Sequence, residues 1–252
     1  MSHYRTEIRF GFAERLTPAV KTLLIINGVL FVLQQLFDPY VVRLFSLSAP
    51  LVLPWHFQVW RLGTYMFLHA DFWHLFWNMF ALFIFGCAIE EVWGSRSFFR
   101  YYTLCGLGSA LFALIPWDPI WGYPIIGASG AIYGILAAFA VMFPRRQILL
   151  FFVLPIEARY LVLFYGLISF ASAVSGAQGV AHIVHLGGLV TGFALLRWAG
   201  VARPRRAAAG QREFLGSVKN AYRRWRMKRL RKKFESYYEK RSGGDGPGPI
   251  IH

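Results

Sequence analysis

The stretch GASGAIYGILAAFAVMF, residues 127–143, places a serine between two glycines at the start of an apolar segment. Apart from Ser129 and Tyr133 it carries no polar side chain, which is typical of a helix that lies in a bilayer. Gly130 and Gly134 form a GxxxG pair, and small residues at this spacing let two membrane helices approach closely. We therefore expect Ser129 to lie at the mouth of a closely packed membrane helix.

The composition of the whole chain indicates a membrane protein. Of the 252 residues, 56% are hydrophobic and 15% are charged, whereas an average soluble domain has about 25% charged residues. A spanning helix needs about 20 mostly apolar residues, and six candidate segments lie at residues 22–37, 72–89, 98–117, 126–143, 159–175 and 180–199. The predicted fold class is an all-α membrane protein, a six-transmembrane-helix bundle. Its long first loop, rich in proline and aromatic residues, is expected to lie on the outer membrane surface.

The distribution of positive charge predicts the topology. The leader and the connections after the second and fourth segments contain arginine, whereas the connections after the third and fifth segments contain no Lys or Arg. The tail at residues 203–252 holds 15 of the 27 Lys and Arg and four of the 12 Asp and Glu, and therefore carries +11 of the net +15. Because cytoplasmic loops are enriched in Lys and Arg, both termini are expected to be cytoplasmic.

Three parts of the chain follow from this pattern: a cytoplasmic leader at 1–17, a membrane domain at 18–200 and a basic cytoplasmic tail at 201–252. The leader shows no cleavable signal peptide. The tail spaces apolar residues at helical intervals among its arginines and lysines, which favours an amphipathic helix on anionic lipid, followed by a disordered end. These apolar residues are Leu215, Val218, Tyr222 and Trp225. Nucleic acid is not expected as a partner, because a basic patch alone is weak evidence for it.

Polar residues cluster where the second, fourth and sixth segments begin, on the side predicted to be external. They are His69, His74, Asn78, Ser129, His182 and His185. Polar side chains in a membrane are costly, so a cluster at one depth indicates a functional site. A second GxxxG pair, Gly188 and Gly192, follows His185, and packing of the two glycine faces would bring Ser129 within hydrogen-bond reach of His185. Tyr133, one turn after Ser129, is placed to support the imidazole.

This combination favours nucleophilic catalysis. A serine hydroxyl becomes a good nucleophile when a base takes its proton, and a neutral histidine suits that role. The candidate donors for the tetrahedral oxyanion are His74, Asn78 and the backbone N–H of Ser129. Structural hydrogen bonds between helices and a transporter with a histidine relay remain alternatives. Metal binding by His182 and His185 is disfavoured because the chain has no HExxH motif, and no metal or cofactor is expected.

Four stretches together resemble the rhomboid family of intramembrane serine proteases over residues 17–198. They are WRLGTYMFLHADFWHLFWNM (60–79), GASGAIYG (127–134), FPRRQILLFFVLPIEARY (143–160) and AHIVHLGGLVTG (181–192). The third stretch is similar to the bacterial members, so a bacterial cytoplasmic membrane is the expected location. The resemblance implies a six-helix core that cleaves transmembrane segments of membrane proteins near the outer side of the bilayer, through an acyl-enzyme. A non-catalytic relative that binds membrane clients is the alternative.

The resemblance also implies roles for individual residues. Ser129 would be the nucleophile and His185 the general base, as a dyad without an aspartate. His74 and Asn78 would lie on the oxyanion side, and Tyr133 would stack against the catalytic histidine. Supporting roles fall to the glycines at the serine and histidine motifs and to residues of the first loop and second segment: Gly127, Gly130, Gly188, Trp60, Arg61 and Glu90. His69 would be structural and His182 would not be the base. The chain differs from some members in having no recognisable amino-terminal soluble domain and a basic tail in place of a seventh span.

Overall fold

The computed structural model of the chain describes residues 16–38, 40–53, 56–116, 123–150, 153–175 and 181–198. The leader before residue 16 and the basic tail lie outside these ranges, and so do the predictions made for them. The α-helices are α1 (Pro18–Phe37), α2 (Tyr40–Phe45), α3 (Ala49–Val52), α4 (Arg61–Thr64), α5 (Phe72–Ala81), α6 (Cys87–Trp93), α7 (Ser95–Ala113), α8 (Ser129–Met142), α9 (Ala158–Ser175) and α10 (Ala181–Trp198). A 3₁₀ turn (Tyr65–Phe67) follows α4, and a π-helical segment (Leu82–Gly86) joins α5 to α6.

The structure is mostly helical, and at least one helix overlaps each of the six predicted apolar segments. Among the described residues, two helical runs, Pro18–Phe37 and Phe72–Trp93, are long and apolar enough to cross a bilayer. Ser129–Met142 and Ala158–Ala173 are apolar but shorter. The prediction of a helical protein is therefore confirmed, while the number of membrane spans stays a prediction.

A two-stranded antiparallel hairpin departs from the all-α expectation. Strand β1 (Gln147–Leu150) pairs with β2 (Leu154–Glu157), with Ile148 opposite Ile156. The sequence of this connection is rich in branched and aromatic residues, which favour extended backbone. It was not predicted as a hairpin because a short apolar run does not by itself distinguish a strand from a helix.

Helices α7, α8 and α10 pack against one another through glycines. A side-chain carbon added to Gly188 of α10 would collide with the carbonyl oxygen of Gly130 in α8, and one added to Gly192 would lie 2.8 Å from the Cα of Gly134. The predicted contact between the two GxxxG faces is therefore present. Helix α7 packs against the same glycines, because a side-chain carbon added to Gly130 would collide with the Ser109 side chain.

The first loop is folded by hydrogen bonds from Arg61, which is 2% exposed. Its guanidinium donates to the carbonyl oxygens of Ser46 and Arg43 at 2.6 and 2.7 Å and to the Gln58 side chain at 2.6 Å. Trp60 adds a bond from its indole N–H to the Leu44 carbonyl at 3.1 Å. Because a guanidinium has five N–H donors in a fixed fork, Arg61 satisfies several backbone groups of the loop at once.

Glu90 of α6 joins the amino ends of α1 and α7. Its buried carboxylate accepts hydrogen bonds from the Thr17 hydroxyl (2.6 Å), the backbone N–H groups of Ala19 and Val20 (2.8 and 2.9 Å) and the Ser95 hydroxyl (2.6 Å). The first N–H groups of a helix have no partner within the helix. A carboxylate therefore satisfies them and also complements the positive end of the α1 dipole.

Replacement of Glu90 by glutamine should lower the free energy of unfolding by about 2–3 kcal/mol, because hydrogen bonds to a charged acceptor are lost and the new amide places donors against donors. Titration of the purified protein in detergent with a denaturing surfactant, followed by circular dichroism, measures this. The neighbouring Glu91 is exposed, so Glu91→Gln is the matched control. Equal destabilisation by both variants would contradict a special role for Glu90.

Candidate catalytic site

Ser129 and His185 lie side by side although they come from different helices. Ser129 is the first residue of α8, and His185 lies in the first two turns of α10. The Ser129 Oγ and the His185 Nε2 are 2.8 Å apart, and both residues are partly buried. This is the distance of a hydrogen bond between a hydroxyl and an imidazole, so the pairing that the sequence predicted is present.

The ring of Tyr133 holds the imidazole of His185 on one side. The two rings are parallel within 5° and their centroids are 4.2 Å apart. Tyr133 lies one turn after Ser129 on α8, so the same helix supplies both the hydroxyl and the flat surface against which the imidazole rests. The position of Tyr133 agrees with the prediction from its spacing.

His182 lies one turn before His185 on α10. Its ring is 6.2 Å from that of His185 and nearly perpendicular to it. Among the described residues, no group of three or more His, Cys, Asp or Glu side chains is arranged to hold a metal ion. Cys87 and Cys105 are both free and buried.

Gly127 makes room for His74 beside the serine. Its φ of +121° is one that residues with a side chain rarely adopt, and its N–H donates to the Tyr65 carbonyl at 2.9 Å. A side-chain carbon at Gly127 would lie 2.8 Å from His74 Nε2 and 3.8 Å from Ser129 Oγ. Glycine is therefore required here both by the backbone and by the close approach of the imidazole.

The hydrogen bonds of His74 determine which ring nitrogen faces Ser129 as a donor. The backbone N–H of Ala70 donates to His74 Nδ1 at 3.3 Å, so a neutral ring carries its proton on Nε2, the atom beside Gly127. The Asp71 side chain caps α5 by accepting the His74 N–H at 2.8 Å. These bonds hold His74 with an N–H directed toward the space next to the serine.

His69 packs edge-on against His74, with the ring centroids 5.1 Å apart. Its backbone N–H and carbonyl are both bonded to the Gln34 side chain of α1, at 3.1 and 2.7 Å. Burial, with a further contribution from His74, lowers the pKa of His69 to about 3. His69 is therefore a neutral packing partner of His74, and the structural role implied for it stays a prediction.

Asn78, the other candidate donor of α5, bonds to the backbone of its own helix. It is buried on α5, and its side-chain N–H donates to the His74 carbonyl of its own helix at 2.8 Å. That bond fixes the amide against the helix backbone. His74 Nε2 thus lies beside Gly127, next to Ser129, and Asn78 lies one turn after His74 on the same helix.

Ser109 of α7 is a neighbour of the site that the sequence did not single out. Its hydroxyl is fully buried and donates to the Val184 carbonyl at 2.6 Å, immediately before His185. A serine within an apolar helix is a weak signal, because such hydroxyls often bond to their own helix. Here the bond crosses to α10 and holds the backbone that carries the histidine.

Comparison with known protein sequences assigns the chain to a family. A model of the rhomboid domain matches residues 56–200, more than half of the chain. The chain belongs to the rhomboid family. It is therefore related to integral membrane proteins, and its relatives include bacterial and mitochondrial proteins.

Individual relatives are similar over different lengths. Rhomboid protein 1, mitochondrial, of Saccharomyces cerevisiae is 37% identical over 139 residues, 50% of this chain and 38% of the relative. Rhomboid protease GluP of Bacillus subtilis is 34% identical over 154 residues, 61% of this chain and 28% of the relative. YdcA of Bacillus subtilis is 30% identical over 204 residues, 76% of this chain and 92% of the relative. The chain thus matches well under half of the first two relatives and nearly all of the third.

Replacement of Gly188 by alanine should separate α8 from α10, because the added methyl group collides with the Gly130 carbonyl. Overpacking of this kind costs about 1–3 kcal/mol, and the Ser129–His185 distance should lengthen with the helix separation. Thermal unfolding in detergent measures the first effect, and the rate at which a fluorophosphonate probe labels Ser129 measures the second.

Gly28→Ala is the control, because a side-chain carbon added to Gly28 of α1 would have no atom within 4 Å. Wild-type stability and labelling in Gly188→Ala would show that the glycine contact does not set the geometry of the site.

Proposed function

We propose that this protein is an intramembrane serine endopeptidase in which Ser129 and His185 form the catalytic dyad. The observation that carries the proposal is the 2.8 Å separation of the Ser129 Oγ and the His185 Nε2 in a member of the rhomboid family. Several relatives are named as proteases, among them GluP of Bacillus subtilis and AarA of Providencia stuartii.

The chemistry assigned to the pair begins with proton transfer. His185 Nε2 takes the proton of the Ser129 hydroxyl as the oxygen attacks the carbonyl carbon of the substrate. The protonated imidazole then gives the proton to the nitrogen of the leaving amine, and an acyl-enzyme on Ser129 remains. Water attacks the ester with the same histidine as base, which releases the acid and restores the hydroxyl.

The tetrahedral oxyanion needs N–H donors, and two are assigned here. One is the backbone N–H of Ser129, at the positive end of α8. The other is the Nε2–H of His74, because the Ala70 bond at Nδ1 places the proton of the neutral ring on the atom that lies beside Gly127. The Asn78 amide fixes the α5 backbone at His74 through its bond to the His74 carbonyl. It becomes a direct donor to the oxyanion when the amide turns away from the helix.

The proposed substrates are transmembrane segments of membrane proteins. The proposed enzyme is a six-span bundle within residues 18–200. It lies in a bacterial cytoplasmic membrane with both termini in the cytoplasm. The leader at 1–17 and the basic tail at 201–252 flank that domain, and the tail is assigned to anionic lipid. A helix in the bilayer hides its carbonyls in backbone hydrogen bonds. Cleavage should therefore occur near the outer side of the membrane, at small or helix-weakening residues.

Ser129→Ala and His185→Ala should each reduce cleavage of a single-span substrate to background, because one removes the nucleophile and the other the base. Gel analysis of purified protein and substrate in proteoliposomes measures this, and fluorophosphonate labelling of Ser129 provides a second readout. His56→Ala is the control, since His56 is an exposed histidine of the first loop. Undiminished cleavage by the alanine variants would refute the assignment of the dyad. Absence of labelling in the wild type would instead favour a non-catalytic protein that binds membrane clients.

His74→Ala should lower kcat by about 100-fold with little change in KM, because an oxyanion donor acts mainly in the transition state. Steady-state cleavage of a fluorogenic transmembrane peptide separates the two constants. A change confined to KM would assign His74 to substrate binding and would contradict the oxyanion role.

A further inference from the structure

The hairpin between α8 and α9 carries apolar side chains that the described part of the chain leaves exposed. Residues 148–156, ILLFFVLPI, include no charged or hydrogen-bonding side chain. Ile148 and Ile156, paired across the strands, are partly buried against the helical core. Farther along the hairpin Val153 is 81% exposed and Leu154 is 55% exposed. One end of the hairpin therefore packs on the protein and the other extends away from it.

Arginines surround the base of this hairpin. Arg145 is exposed, and Arg159 is 47% exposed and pairs with Glu157 at 2.8 Å. The guanidinium of Arg146 lies over the rings of Phe139 and Phe143, at 5.6 and 5.7 Å from their centroids. Three cations and one carboxylate leave the base of the hairpin positively charged.

We propose that this hairpin is a lipid-binding element that inserts its apolar end into the membrane boundary, with anionic headgroups at its arginines. An apolar surface beside a cationic rim is the pattern by which peripheral segments bind acidic membranes. The charge selects lipid over a second copy of the chain, because two such surfaces facing each other would bring like charges together. Basic loops also favour the cytoplasmic side, which assigns the hairpin to that leaflet.

The backbone of the hairpin limits its depth. A two-stranded hairpin has two open edges whose N–H and C=O groups have no partner strand. Such groups are not tolerated in the hydrocarbon layer unless protein or water satisfies them. The hairpin therefore rests at the level of the headgroups, with Val153 and Leu154 just below it. This inference concerns anchoring of the α8–α9 connection and does not depend on protease activity.

Val153→Cys tests the inference with a single environment-sensitive nitrobenzoxadiazole label, since Cys87 and Cys105 are buried. The full-length protein is reconstituted into phosphatidylcholine vesicles, with or without phosphatidylglycerol, that contain spin-labelled lipid as quencher. Glu91→Cys is the water-facing reference, and Leu163→Cys, on the exposed apolar face of α9, is the lipid-facing reference. We expect the label at 153 to show blue-shifted emission and strong quenching, close to that at 163.

Two outcomes would overturn the proposal. A label at 153 that behaves as the one at 91 would place the hairpin in water. A blue-shifted label that lipid quenchers do not reach, and that shifts red when the protein is diluted in the vesicles, would assign the surface to a second copy.

The charge is tested in the same assay. Phosphatidylglycerol should increase quenching at 153, and the double substitution Arg145→Gln and Arg159→Gln should abolish that increase without altering quenching in phosphatidylcholine alone. Equal quenching in the two lipid mixtures for the parent label would overturn the role of anionic headgroups.

Discussion

The close approach of α8 and α10 at Gly130 and Gly188 is the constraint on which the site depends. Ser129 directly precedes Gly130, and His185 lies three residues before Gly188. Because the two backbones meet where neither residue has a side chain, the hydroxyl and the imidazole next to this contact reach hydrogen-bond distance with ordinary side-chain lengths. The pairing of the hydroxyl with the imidazole is thus a consequence of how α8 and α10 pack.

The start of α8 is held from a second direction by the first loop. Leu47 and Ile125 exchange backbone hydrogen bonds at 2.9 and 2.8 Å, and the Gly127 N–H donates to the Tyr65 carbonyl. These bonds fix the chain just before Ser129 to the loop that leads into α5 and His74. His74 of α5 and Ser129 of α8 are therefore positioned by shared backbone contacts, and a substitution that unfolds the loop should displace both side chains.

The sequence predicted the features that depend on spacing and missed those that depend on three-dimensional context. Glycine intervals predicted the contact of α8 with α10, and the four-residue interval from Ser129 predicted the position of Tyr133. The hairpin was missed because its apolar run fits a strand and a helix equally well. The Ser109–Val184 bond and the bond that ties the Asn78 amide to its own helix were also missed, since a sequence does not show which carbonyl a polar side chain reaches.

The described contacts of His185 include no charged side chain, which suits a site in a membrane protein. The polar and ring contacts of His185 among the described residues are with Ser129, Tyr133 and His182, and none of these is a carboxylate. An ionised carboxylate beside the imidazole would have to be taken out of water, at a cost that grows as the dielectric constant falls. The stacked ring of Tyr133 fixes the plane of the imidazole without that cost. Packing against Tyr133 therefore orients this imidazole, as a charged partner orients the histidine of a water-exposed triad.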